Sequence, residues 1–174
     1  VDWQEREKEL VALLDQHRSD DGSWDVIVPS SGGKDSGFVA HKLRYEYGMN
    51  PLTVTWSPLQ YTGIGFQNFQ SLIESGLSNM LCTPNGKFQR KLARLSFEEL
   101  GDAFHVFVLG QLSYPFQMAL RLGVKLVFYG ENGEAEYSGD PIYGDKPCKP
   151  SEEFVNQYFK GTSFSELLSY GLKN

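Results

Sequence analysis

The chain has 174 residues, with 22 acidic against 16 basic side chains, a formal net charge of −6 and 40% hydrophobic residues. This length predicts one domain with an ample core, and an acidic balance without a conspicuous lysine or arginine cluster argues against a nucleic-acid groove. Cys82 and Cys148 are too few for a disulfide framework and too far apart for a C-x-x-C site, which fits a reduced cytoplasmic setting.

From Asp2 to about His17, Trp3, Leu10, Leu13 and Leu14 recur among charges and predict an amphipathic surface helix, ended by Ser19-Asp20-Asp21-Gly22. Val26-Ile27-Val28 reads as a short buried strand, stopped by Pro29 and a Ser/Gly cluster. Beyond Ser36, Phe38, Val39, Leu43 and Tyr47 fall near a spacing of three to four, so a helix is expected up to Gly48-Met49-Asn50-Pro51. Leu52 to Trp56 is the second predicted strand. A helix over 65–75, a strand over 79–82, helices over 87–100 and 111–122, and a strand over 125–129 follow. Pro141, Gly144, Lys146, Pro147, Lys149 and Pro150 predict an extended connection, and 152–159 and 163–170 read as helices that cannot form a core alone. The expected divisions are an N-terminal helix and linker over 1–22, a central domain over 23–140 and a C-terminal extension over 141–174. The longest apolar runs, such as 126–129, are far shorter than a membrane span, and no charged-then-apolar leader opens the chain. It starts at Val1 and closes on residues that still read as helical, so a piece of a longer protein is expected.

Alternating strands and helices predict an α/β fold, a doubly wound parallel sheet with helices on both faces. Ligands of such sheets sit at the carboxyl ends of the strands. The residues following the first strand, Trp56, Cys82 and Tyr129 should therefore surround the site.

The first of these places holds Ser31-Gly32-Gly33-Lys34-Asp35-Ser36. A helix N-terminus has unpaired N–H groups and the positive end of the helix dipole, and glycines admit an anion close to the main chain. A Walker loop would need glycine where Val28 stands and Ser or Thr where Asp35 stands, and the adjacent Gly32 and Gly33 break the G-x-G-x-x-G spacing. Lys34 suits neutralisation of phosphate charge, with a solvated lysine at a helix start as the alternative. Asp35 beside a polyanion points to a bridging Mg2+, with a dipole-favoured N-terminal carboxylate as the alternative. Ser31 and Ser36 offer hydroxyls to phosphate, or Ser36 caps the helix. A second stretch, Tyr129-Gly130-Glu131-Asn132-Gly133-Glu134 on to Glu136 and Asp140, should face the same cleft. Its carboxylates either hold metal, ammonium or sugar, or form a solvated acidic loop; Gly130 and Glu131 lie nearest the strand end.

Ser31 to Ser36 resembles the pyrophosphate loop of the PP-loop ATP pyrophosphatases. With Gly101-Asp102-Ala103, Tyr114-Pro115 and Leu126 to Glu134, the likeness narrows to the N-acetyl sugar amidotransferases of lipopolysaccharide and O-antigen biosynthesis, over most of residues 24–150. The resemblance implies an adenine nucleotide alpha hydrolase-like fold and cleavage of ATP to AMP and pyrophosphate. It implies adenylation of the acetamido oxygen of a nucleotide-linked sugar and displacement of AMP by ammonia from a separate glutaminase subunit. It places ATP on Ser31, Gly32, Gly33, Lys34, Asp35, Ser36, Val54, Thr55, Trp56 and Gly130. Lys34, Asp35 and Glu131 become catalytic, Mg2+ lies on Asp35 with Glu131 as a second ligand, and Asn132 and Glu134 meet the sugar. Phe104-His105-Val106-Phe107 stands where relatives carry paired cysteines, so zinc is not expected, and His105 reads as a satisfied structural residue. Cys82 reads as a buried hydrophobe and His17 and His41 receive no role. A homo-oligomer is left open. The alternatives are another PP-loop pyrophosphatase, such as a thiolation enzyme or small-molecule amide synthetase, and a nucleotide-binding module without turnover.

Overall fold

Alternate residues of one short strand face two different cores. The structure, a computed structural model, describes residues 1–133, 142, 150–159, 162 and 164–171. In strand β1 (Val26–Pro29), Val26 and Val28 join Leu14, Ala40, Leu43, Met49, Leu72 and Leu77, whereas Ile27 joins Leu52, Val54, Met118, Ala119 and Val124. Side chains alternate across a strand, so helices cover this sheet on both faces. Each fully buried aliphatic side chain contributes roughly 1.5–3 kcal/mol.

The chain forms two compact units, one of Val1–Thr55, Tyr61–Leu81 and Tyr114–Gly130, the other of Trp56–Gln60, Cys82–Ser113 and Glu131–Asn174. These boundaries differ from the expected divisions after 22 and 140. Helix α1 (Trp3–Asp15) belongs to the first unit because Leu14 is fully buried in its core; the Asp2 carboxylate caps it, accepting from the amides of Gln4 and Glu5.

The first unit continues through α2 (Lys34–His41), a π-helical turn (Lys42–Glu46), β2 (Pro51–Trp56), α3 (Gly63–Glu74) and β3 (Ser78–Cys82). The sheet order is β1-β2-β3, with β1 parallel to β2 and Val28 opposite Thr53. The Thr53 hydroxyl reaches the Ser78 carbonyl, and further along the Ser57 amide reaches the Cys82 carbonyl, so β2 and β3 also advance together. On the other edge of β1, Ile27 bridges Val127 in parallel; the Ile27 amide donates to Leu126 and the Phe128 amide to Ile27, both at 2.9 Å. The expected strand over 125–129 is present as this single bridge, although Leu126 and Phe128 pack on one face and Val127 on the other.

In the second unit, Asn85 caps α4 (Gly86–Leu100) and Gly101, at φ 69°, ends it in the left-handed conformation. The Asp102 amide returns to the Ser96 carbonyl and the Asp102 carboxylate accepts from the Phe104 amide, so Gly101-Asp102 is a helix stop and a turn into α5 (His105–Leu122), whose residues from Tyr114 on belong to the first unit. This helix begins six residues before the expected 111. Gly110 lies inside it, against the Trp56 ring; a Cβ there would lie 2.1 Å from the ring. The later helices, α6 (Ser151–Phe159) and α7 (Phe164–Gly171), follow the predicted spans, and fully buried Leu167 joins Leu92 and Val106 in a third core. The outer face of α4 exposes Lys87, Arg90, Lys91 and Arg94, a basic stripe that the net charge conceals. Among the described residues, no helix is long and apolar enough to cross a membrane.

Candidate functional site

Pro29 ends β1, and the chain turns through Ser30–Gly33 into α2, at the carboxyl end of the strand that lies between β2 and Val127. Helix α2 starts at Lys34 with Gly33 as its N-cap, a residue that offers no side chain to the helix amides. Ser36 is therefore not the cap; it sits in the first turn, buried, with its hydroxyl 2.9 Å from that of Ser30. Ser31, Gly33, Lys34 and Asp35 are exposed. The result is a helix end open to solvent at its tip and anchored by hydroxyls beneath. Such an end attracts anions through its dipole and orphan amides.

Two glycines have packing reasons of their own. Gly32 has φ +87°, and a Cβ there would come 2.7 Å from the Phe69 backbone nitrogen in α3. Gly130 would bring a Cβ to 2.6 Å from the Ser36 nitrogen and 2.8 Å from the Asp35 carbonyl carbon. The segment after Val127 thus lies directly against the first turn of α2. The Lys34 ammonium bonds both oxygens of the Asp35 carboxylate, at 2.7 and 2.8 Å, in an exposed pair. An exposed pair of this kind contributes only about 0–1 kcal/mol.

Two residues at the end of β2 bond the chain just before the loop. Val54 is 2% exposed, packs in the core with Ile27, and gives its carbonyl to the Ser30 amide. Thr55 is buried, and its hydroxyl donates to the Ser30 carbonyl at 2.5 Å. Trp56, Glu131 and Asn132 belong to the second unit. There Glu131 and Asn132 are exposed, and a Cβ on Gly133 would clash with the Tyr158 hydroxyl of α6. Glu134, Glu136 and Asp140 lie outside the described residues, as does Cys148. Among the described residues, no group of three or more His, Cys, Asp or Glu side chains is placed to hold a metal ion. Magnesium on a nucleotide needs only one or two carboxylates beside phosphate oxygens, and the exposed Asp35 carboxylate is a donor of that type.

His105 is buried to 1% exposure, but its Nε2 has no hydrogen-bond partner among the described residues, so burial is as expected and full satisfaction is not. Cys82 is half-buried at the end of β3 rather than buried as expected, and what burial it has pushes its thiol up, away from the thiolate that a nucleophile requires. A polar cleft of about 450 Å3 opens instead before β1, lined by His17, Asp20, Asp21, Trp24, Leu122 and Lys125 among others. Hydrogen bonds from Ser19 and Ser23 lower Asp21 to about 2, and Asp25 accepts from the amides of Ser19 and Asn50, both at 2.6 Å. These carboxylates hold turns together. The residues missed by motif reading are Ser30, Thr53 and Asn79, which lie outside the loop motif and are joined to it through space. No protein-family model matches the chain, and no curated protein matches it significantly.

Proposed function

We propose that the chain is an ATP pyrophosphatase domain of the doubly wound PP-loop type, binding the phosphates of ATP at Ser31–Ser36. One observation carries the reading: α2 opens on Gly33 without a side-chain cap at the point where strand order reverses, with β2 on one edge of β1 and Val127 on the other. That reversal is where open α/β sheets leave a crevice for ligands. Ser31, Gly32, Gly33 and Ser36 bind the polyphosphate, Lys34 neutralises its charge, and Gly130 keeps room beside the helix end. Asp35 holds Mg2+, which supplies charge neutralisation to the leaving pyrophosphate, and the Lys34–Asp35 pair opens on nucleotide binding. The proposed adenine contact is the main chain at the end of β2, where Thr55 precedes Trp56.

The substrate class follows the resemblance carried by Ser31–Ser36, Gly101-Asp102-Ala103, Tyr114-Pro115 and the run to Glu134. The domain adenylates the N-acetyl group of a nucleotide-linked sugar, and ammonia from a glutaminase partner gives the acetamidino sugar in the cytoplasm. Glu131 is proposed as its second catalytic carboxylate and metal ligand, with Asn132 and Glu134 toward the sugar. Incubation with ATP, Mg2+, ammonium and candidate sugar nucleotides tests this. AMP and pyrophosphate formed only with an N-acetylated sugar support it. The same products with another acceptor assign a different pyrophosphatase, and nucleotide binding without turnover leaves a binding module. ADP and phosphate as products exclude the class.

A further inference from the structure

A line of buried hydroxyls runs across the sheet beneath the Ser/Gly loop. Asn79, on β3, donates through Nδ2 to the hydroxyls of Thr53 and Thr55 on β2, each at 2.9 Å. Those hydroxyls are already committed as donors, Thr53 to the Ser78 carbonyl at 2.7 Å and Thr55 to the Ser30 carbonyl at 2.5 Å. Both can accept only, which fixes the Asn79 amide with its nitrogen toward them. The Gly32 amide donates to the Ser30 hydroxyl at 3.4 Å; that hydroxyl meets Ser36 Oγ at 2.9 Å, and Ser36 Oγ donates to the Gly33 carbonyl at 3.3 Å. With Ser36 donating to Gly33, the proton shared by the two hydroxyls is that of Ser30.

Ser30 is thus held at three main-chain and side-chain atoms: its amide on Val54, its carbonyl on Thr55 and its hydroxyl between Gly32 and Ser36. Thr53, Thr55, Ser30 and Ser36 are all under 10% exposed, at 0, 1, 6 and 9%. In so dry a place, a hydroxyl that loses its partner has no water to replace it. An apolar pair would pack these strands equally well, and Val54 and Leu52 do so on the opposite face. The polar line ties β2 to β3 at its Thr53–Ser78 end and reaches the loop at its Thr55–Ser30 end.

We propose that Asn79 and Thr55 are positioning residues for the loop. Through Ser30 and Ser36 they set the place at which the exposed tip of α2 meets an anion, so Thr55 acts by its buried hydroxyl. This rests on the reading of Ser31–Ser36 as a phosphate loop. The test uses the whole chain, Thr55→Val, Thr55→Ser and Asn79→Ala, with inorganic pyrophosphate as the probe in calorimetry and amide hydrogen exchange on the free protein. Thr55→Val is expected to weaken pyrophosphate binding about tenfold and to speed exchange at 31–36 by a similar factor, leaving exchange in 116–122 of α5 unchanged; Thr55→Ser restores both. Asn79→Ala, at the partly exposed end of the line, is expected to repeat the effect more weakly. Unchanged pyrophosphate affinity in Thr55→Val, or exchange that rises evenly over the whole chain, overturns the positioning role. Wild-type protein that takes up no pyrophosphate overturns the phosphate-loop reading instead, whatever Thr55→Val does to exchange.

Discussion

Gly130 lies against the main chain of Ser36 so closely that even a methyl group would reach 2.6 Å from the Ser36 nitrogen. The neighbours are backbone atoms in the first turn of α2, which cannot rotate aside as a side chain would. The glycine is needed for the approach of two chain segments, and that approach brings the end of the bridge at Val127 beside the helix tip.

Gly130→Ala is therefore expected to displace one segment or the other. Overpacking of this kind costs about 1–3 kcal/mol, and a urea titration should show the loss as a lower midpoint. Because the displaced atoms belong to the proposed anion site, pyrophosphate affinity should fall with it. Gly32→Ala should be worse, combining a 2.7 Å approach to Phe69 with a φ of +87°. Wild-type stability in both variants would contradict this packing.

Lys34 and Asp35 give the opposite expectation. Their side chains are 88 and 50% exposed, and their ion pair joins sequence neighbours at the surface. Surface substitutions of this sort stay within about 0.5 kcal/mol, so Asp35→Asn and Lys34→Met should melt like the wild type. Release of AMP should nevertheless be abolished by Asp35→Asn and sharply reduced by Lys34→Met. Unimpaired AMP formation in Asp35→Asn would remove its proposed metal role.

The order of elements was legible because it rests on local signals: β-branched runs, Pro29, and the Gly48 to Pro51 stop. Burial of β1 was legible for the same reason, in the unbroken apolar run Val26-Ile27-Val28, and two covered faces followed from the helical crossovers that parallel strands need. What escaped depends on contacts between distant residues. The packing of Trp56 over Gly110 in α5 is a pairing no helical period announces. The burial of Leu167 likewise needs α4 in place. At the loop, the six-residue motif marked the exposed tip, while Asn79, Thr55 and Ser30 beneath it carry no motif and meet only through the strand register.

Gly110→Ala sets two effects against each other. Alanine in a helix interior is favoured over glycine by about 1 kcal/mol, but the added carbon would sit 2.1 Å from the Trp56 ring. A clash with a large, half-buried indole costs more than propensity returns, about 1–3 kcal/mol. The variant should unfold earlier in urea, and its tryptophan emission should shift as the ring is pushed toward solvent. A stabilised variant with unchanged emission would mean that the ring moves aside freely.

Tyr47 offers a readout of how α1 is held to the first unit. Its hydroxyl donates to the Glu7 carboxylate at 2.7 Å, and this hydrogen bond, with burial and the charges of Glu7 and Glu46, raises its pKa from 10.0 to about 12. A raised folded-state value means that the stabilising contribution is complete below pH 10 and is lost as pH climbs through about 12. Glu7→Gln removes the principal cause. In a spectrophotometric titration, Tyr47→Phe identifies the late-ionising tyrosine by its absence, and Glu7→Gln should bring that same transition back toward pH 10. If the transition stays near 12 in Glu7→Gln, the carboxylate is not what holds the proton, and α1 is docked by Leu14 and its apolar neighbours without help from this bond.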